Sequence, residues 1–273
     1  MSQSEYEFWG YATAPETAAE LESRARLKGS SVPLTFGSLF AGIGGFDLGF
    51  EQAGMQCKWQ VEIDPYCRRV LAKHWPNVRR WDDVRTFPPT GDWGVDCIIG
   101  GFPCTQVSTA AAISGNRSGL AGPDSGLWFE MLRIIKAIGP GRVIVENVAG
   151  VKTYQATIQG GLEGAGYAVR KINQSAFDVG APHLRRRVFF VADINRERLA
   201  VTWQGGPSAT TGIARRSSNR NTWLSALAGV SRVADGLPSG LERRERIKAC
   251  GNAVCPPVAR WIAERILAAH NQI

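Results

Sequence analysis

Apolar residues along this chain fall into short runs separated by stretches with helical spacing, and the alternation starts abruptly at Leu34. Leu34–Phe40, Lys58–Ile63, Val95–Ile99, Val143–Val145 and Val188–Ala192 read as strands, with a further short one around Trp81–Val84. Phe46–Ala53, Tyr66–His74 and Leu127–Ile138 repeat apolar positions three and four apart and read as helices. Strands that alternate with helices need crossover connections. The pattern therefore predicts an α/β domain around a mainly parallel sheet covered on both faces. Residues 1–33 are polar and read as a tail, and 34–192 hold the α/β core. Asp193 to Lys248 is rich in Arg, Ser, Gly and Asn without a clear period. Residues 249–273 contain an amphipathic helix, Val258–Ala269, expected after the Pro256-Pro257 breaker and expected to return to the core.

Composition narrows the class. The 273 residues are 44% hydrophobic and 21% charged, which excludes wholesale disorder. No apolar run approaches the length of a membrane span, so none is expected. Lys and Arg total 32 against 24 Asp and Glu, a net charge of +8 that favours a polyanionic partner. The six cysteines form no C-x-x-C pair and there are three histidines, so no metal site is expected. The start of the chain lacks a basic-then-apolar leader, which favours the cytoplasm and free thiols.

Two stretches concentrate the chemistry. Leu39-Phe40-Ala41-Gly42-Ile43-Gly44-Gly45-Phe46 lies between a strand and a helix, where glycines permit a tight turn and close approach of a ligand. Glu62, about twenty residues on at the end of the next strand, can accept hydrogen bonds from ribose hydroxyls. The third glycine is out of place for a dinucleotide fingerprint. A phosphate-free adenosine cofactor such as S-adenosylmethionine fits better, with Asp83 accepting from its adenine amine. A ligand-free glycine turn and a local turn carboxylate at Asp83 are the plainer alternatives. The second stretch, Ile98 to Ser108, runs from a buried strand through Gly100-Gly101-Phe102-Pro103 into Cys104, at the strand end where ligands gather in open α/β sheets. Cys97, inside the run, reads as a small hydrophobe. The segment after Cys104, Thr109 to Ser125, has the Gly, Ala and Ser content of a lid. Another strand delivers Glu146 to the same edge, where a carboxylate is costly to bury unless it serves a ligand or pairs with a cation. In Leu184-Arg185-Arg186-Arg187, strand alternation puts Arg185 and Arg187 on one face. Helix capping by Glu146 and Asn147, and a solvated arginine cluster, are the structural alternatives.

Taken in order, Phe-Ala-Gly-Ile-Gly-Gly, Pro-Cys, Glu-Asn-Val, x-Arg-x-Arg and Gly251-Asn252-Ala253-Val254 resemble the DNA (cytosine-5)-methyltransferase family, compact bacterial and phage members in particular. The resemblance covers about Leu34 to Ala269. It implies a Rossmann-like sheet of the S-adenosylmethionine-dependent methyltransferase type, with a small basic target-recognition insert. Catalysis is assigned to Cys104 as nucleophile, Glu146 on the cytosine ring nitrogen and amine, and Arg185 and Arg187 on its carbonyl or phosphate. Cofactor positions carried over are Phe40, Gly42, Gly44, Gly45, Glu62, Ile63, Asp83, Val84, Pro103, Leu127, Asn252 and Val254. Ser108, Arg215, Arg216, Arg220, Asn221 and Trp223 are candidates for DNA contact.

The family pattern is departed from at Thr105, which separates the cysteine from Gln106, and at His183, where a glutamine is usual. Neither change removes a reacting atom. The recognition segment is short, so a short target or relaxed specificity is expected. The implied protein is a monomer that flips cytosine from double-stranded DNA, in restriction-modification or phage DNA modification. A tRNA cytosine-5 methyltransferase and an inactive DNA-binding homologue remain the alternatives.

Overall fold

The computed structural model describes residues 32–103, 126–148, 152–179, 185–203 and 251–272. In chain order the elements are β1 (Thr35–Leu39), α1 (Gly45–Ala53), β2 (Gln56–Val61), α2 (Pro65–His74), β3 (Arg79–Trp81), β4 (Cys97–Gly100) and α3 (Leu127–Ile138). They continue with β5 (Arg142–Val148), α4 (Lys152–Glu163), β6 (Ala168–Ser175), β7 (Arg186–Asp193), α5 (Arg196–Thr202) and α6 (Pro256–His270). One seven-stranded sheet has the order β3-β2-β1-β4-β5-β7-β6. Strands β1 to β5 pair in parallel, whereas β7 runs antiparallel to both β5 and β6. The expected mainly parallel α/β sheet is what forms.

Alternation along the central strands splits the core into two layers. Cys97 and Ile99 of β4, Ile144 of β5, and Phe189 and Val191 of β7 pack towards α1, α5 and α6. Ile98, Val143, Val145, Val188 and Phe190 face α3 and α4 on the other side. Helix α3 occupies the expected residues and ends at Gly139, whose φ of 64° provides the left-handed cap. Helix α6 starts at Pro256 itself, because a proline in the first turn needs no partner for a missing N–H. No helix among the described residues is long and apolar enough to cross a membrane.

Four elements differ from the sequence expectation. The short strand expected around Trp81–Val84 forms earlier, at Arg79–Trp81, so Asp83 and Val84 lie in the loop that follows it. The pair α4 and β6 carries weak signals: α4 contains Gly160-Gly161, and β6 is an edge strand with exposed Arg170, Lys171 and Asn173. The core also continues past Ala192. Asn195 caps α5 by accepting from the Arg198 N–H, and Leu199 and Trp203 are buried in the layer beneath α6. A seven-residue helix is too short for its period to stand out. Residues 1–31 and 204–250, with most of the tail and the basic region, lie outside the described residues.

Helices α1 and α6 meet through glycine. A β-carbon on Gly45 would collide with the Val254 backbone, and one on Gly49 with Ala259 and the backbone at Pro256 and Arg260. This close approach seats the Gly251–Val254 segment beside the glycine loop. Gly49→Ala should therefore lower stability in urea by about 1–3 kcal/mol through overpacking. Gly160→Ala, which faces open space in α4, should leave it unchanged or raise it by about 0.4–1 kcal/mol. Equal midpoints for the wild-type protein and Gly49→Ala would contradict the packing.

Candidate active site

The carboxyl edge of β4 and β5 is where the candidate side chains converge. Strand β4 pairs Gly100 with Val145, so the chain leaves the sheet at Gly101-Phe102-Pro103 alongside the end of β5. A β-carbon on Gly101 would lie 2.7 Å from Glu146 Oε2, so glycine alone gives the carboxylate this room. Because β7 runs opposite to its neighbours, its first residues reach the edge where the parallel strands end. Its register sets Glu146 opposite Phe189 and Val148 opposite Arg187, making Glu146 and Arg187 diagonal neighbours on one face. Arg187 Nε lies 2.8 Å from Glu146 Oε1. The contact is a largely buried ion pair between the guanidinium and the carboxylate. Burial raises the Glu146 carboxyl above the ordinary carboxylate range, against the opposing pull of Arg187 and Arg185. Arg185 points to the same side, donates from Nη1 to the Gly251 carbonyl at 2.6 Å, and has a buried Nε with no partner.

The edge of β1 and β2 builds a second set of groups. Phe40 has a φ of 54°, the sole non-glycine residue with positive φ among those described, so the turn after β1 holds a strained backbone. Gly44, at φ 85°, is the residue before α1. Glu62 receives the Gly42 N–H on Oε2 at 2.7 Å and the Asp64 N–H on Oε1 at 2.8 Å. Burial raises this carboxyl too, against hydrogen bonds from the Asp64, Gly42 and Ile63 main chain. Ile63 beside it is 58% exposed, an apolar side chain left open to stack on a flat ligand. Asp64 caps α2, accepting from the Tyr66 and Cys67 N–H groups.

Glu146, Arg185 and Arg187 thus meet at one edge, and Phe40, Gly42, Gly44, Gly45, Glu62 and Ile63 at the adjoining one. Val254 is buried against Gly45, whereas Asn252 is exposed at the start of the final segment. Leu127 begins α3 and is partly buried; Pro103 is exposed. Asp83 is held by Arg85 through contacts of 2.7–3.0 Å to both oxygens and accepts the Arg85 N–H, which lowers its pKa. Val84 is buried in the aromatic cluster of Trp59, Phe87 and Trp93. Cys104, Ser108, His183, Arg215, Arg216, Arg220, Asn221 and Trp223 lie outside the described residues. Gly101 and Asp64 escaped sequence reasoning; Asp64-Pro65 at a helix start was the readable signal for the latter. No cluster of three or more potential metal ligands occurs among the described residues.

This arrangement, a reversed β7 in a parallel sheet with a carboxylate at the ends of β2 and β5, defines an S-adenosylmethionine-dependent methyltransferase fold. The family model for C-5 cytosine-specific DNA methylases matches residues 34–221, and the chain belongs to that family. The type II methyltransferase M.Bsp6I of Bacillus sp. (strain RFL6) is 35% identical over 172 residues, 60% of this chain and 53% of its own. A candidate DNA modification methyltransferase encoded within an E. coli prophage superposes with a TM-score of 0.51 at 26% identity, covering 62% of this chain and 48% of that one. The Entamoeba histolytica methyltransferase EhMeth shares the fold, with a TM-score of 0.62, 12% identity, and coverage of 87% of this chain and 99% of its own. The chain spans about half the length of the curated relatives it matches first.

The ion pair makes a pH-dependent prediction. The folded-state pKa of Glu146 is raised, so its contribution favours folding below the unfolded pKa and is lost as pH rises through the folded one. Arg187→Ala removes the cation and strengthens this trend. Its stability loss should reach about 3 kcal/mol near pH 8 and be clearly smaller near pH 5. Adding Glu146→Gln should recover most of the loss at pH 8. Equal losses at both pH values would contradict a charged Glu146 held by Arg187.

Proposed function

We propose that this protein transfers a methyl group from S-adenosylmethionine to carbon 5 of a cytosine flipped out of duplex DNA. The observation that carries the reading is the buried Glu146 carboxyl, paired with Arg187 and kept room by Gly101, a few residues from Pro103-Cys104. A buried acid with a raised pKa can share a proton with the cytosine ring nitrogen, and its other oxygen can accept from the exocyclic amine. The unpartnered Arg185 Nε and the Arg187 guanidinium supply donors for the base carbonyl or its phosphate.

The cofactor side fits an adenosine-bearing group. Glu62 offers its carboxylate oxygens to ribose hydroxyls, Ile63 an exposed apolar surface to adenine, and Phe40 to Gly45 a turn that a ligand can approach closely. Asp83 and Val84 then border the adenine, with Pro103, Leu127, Asn252 and Val254 completing the pocket. When bound, S-adenosylmethionine supplies an electrophilic methyl group.

In the proposed reaction the Cys104 thiolate adds to carbon 6 of the cytosine, and the ring double bond shifts its electron pair to carbon 5. The Glu146 carboxyl gives its proton to the ring nitrogen, which offsets the charge that this builds, and takes it back when the ring is restored. Carbon 5 takes the methyl group as its bond to sulfur breaks and S-adenosylhomocysteine leaves; the carbon 5 hydrogen then departs as a proton to water, and the bond to Cys104 breaks to restore the aromatic ring. Ser108 and the basic segment with Arg215, Arg216, Arg220, Asn221 and Trp223 contact DNA, where cations neutralise phosphates. The working unit is a monomer in the cytoplasm, and the target is short.

Labelled methyl incorporation tests this directly. The wild-type protein should label duplex DNA and leave tRNA unlabelled. Cys104→Ala should abolish transfer while retaining cofactor binding, and Glu146→Gln should slow it by about a hundredfold or more. Full activity in Cys104→Ala would remove the covalent step, and labelling of tRNA alone would replace the substrate.

A further inference from the structure

The glycine loop is supported from behind by a contact that the proposed chemistry leaves unused. A β-carbon on Gly44 would collide with the Trp75 ring and lie 3.2 Å from Leu71, so the loop rests directly on the end of α2. Trp75 is buried, and its indole N–H needs a partner there. Glu51 of α1 accepts it on Oε2 at 2.7 Å. Trp75 is also tied through its main chain: its N–H donates to the Leu71 carbonyl at 2.8 Å, and its carbonyl accepts from Arg80 Nη1 at 2.6 Å.

Glu51 is an expensive choice for this place. An apolar residue would cover the ring without placing a carboxylate against it. Burial pushes the Glu51 carboxyl up to about 7, opposed by the Trp75 hydrogen bond and reinforced by Asp47 one turn earlier. Asp47 is itself buried and held by Ser38 at 3.0 Å and Gln60 at 2.9 Å, so α1 is anchored to β1 and β2 just behind the loop. Helix α2 is meanwhile capped by Asp64, whose N–H donates to Glu62. One rigid helix therefore joins the ribose carboxylate at its start to the back of the glycine loop at its end.

We propose that Glu51 is a positioning residue for the cofactor loop: it fixes the Trp75 indole against Gly44 and so holds the loop in its ligand-receiving conformation. The role rests on the reading of this loop as the S-adenosylmethionine site. It acts on cofactor affinity and not on the methyl-transfer step. The acceptor oxygen is the feature that matters, so glutamine should substitute for glutamate and alanine should not.

Calorimetric titration with S-adenosylhomocysteine, steady-state kinetics on duplex DNA and thermal melting test it together. Glu51→Ala should weaken binding and raise KM for S-adenosylmethionine about tenfold, with kcat at saturating cofactor within about twofold of wild type. Glu51→Gln should return affinity to within about threefold. Trp75→Phe keeps a ring against Gly44 but removes the N–H; it should weaken binding about three- to tenfold, and carries the test if Glu51→Ala does not fold. Unchanged affinity in Trp75→Phe and in any folded Glu51→Ala overturns the role. So does a common loss of kcat, affinity and melting temperature that Glu51→Gln fails to rescue. Absence of binding by the wild-type protein overturns the cofactor reading as well, and so separates the two failures.

Discussion

Burying a carboxylate at the end of an apolar strand is costly, and the architecture around β5 is arranged so that the cost is offset. Glu146 lies near the end of β5, directly after the fully buried Val143, Ile144 and Val145, with parallel β4 on one side. A parallel β7 would bring its last residues to this edge. The antiparallel β7 brings its first ones, and with them Arg187 at 2.8 Å from Glu146 and Arg185 beside it. Gly101 completes the pocket by omission, since any side chain there would displace the carboxylate. Strand direction, register and one glycine thus act together to keep an acid with a raised pKa at the sheet edge.

The adjoining edge of β1 and β2 depends on close backbone approach. Gly45 and Gly49 let α6 and the Gly251–Val254 segment lie against α1, and Arg185 reaches the Gly251 carbonyl from the Glu146 edge. The last segment of the chain is therefore fastened at both edges. Phe40 keeps a left-handed conformation in the same region, a local cost that the rigid β1–α1 framework sustains. The two edges share one wall, and that wall is built from residues far apart in sequence.

Much of this is legible in the sequence. Short apolar runs locate the central strands, because strands buried on both faces must be apolar throughout. The bounds of α3 were readable from Leu127 to Ile138, and two-residue alternation correctly paired Arg185 with Arg187 on the side of Glu146. What escaped has physical causes. Edge strand β6 is half exposed and carries charge, so its pattern does not resemble a strand's. Helix α5 is held by a cap and two buried side chains, too little to create a period. The need for glycine at position 101 comes from a neighbouring strand, and the Arg85 grip on Asp83 from a turn, neither of which a linear pattern encodes.

The central claim is chemical: a carboxyl at the end of β5 and a cysteine after β4 together activate carbon 5 of cytosine. Nucleoside mass spectrometry on digested duplex DNA, after incubation with the wild-type protein and isotope-labelled S-adenosylmethionine, tests it most directly. The predicted result is label in 5-methyl-2′-deoxycytidine and in no other nucleoside. Label on an exocyclic amine of cytosine or adenine would contradict it, as would DNA that stays unlabelled while the protein binds the cofactor.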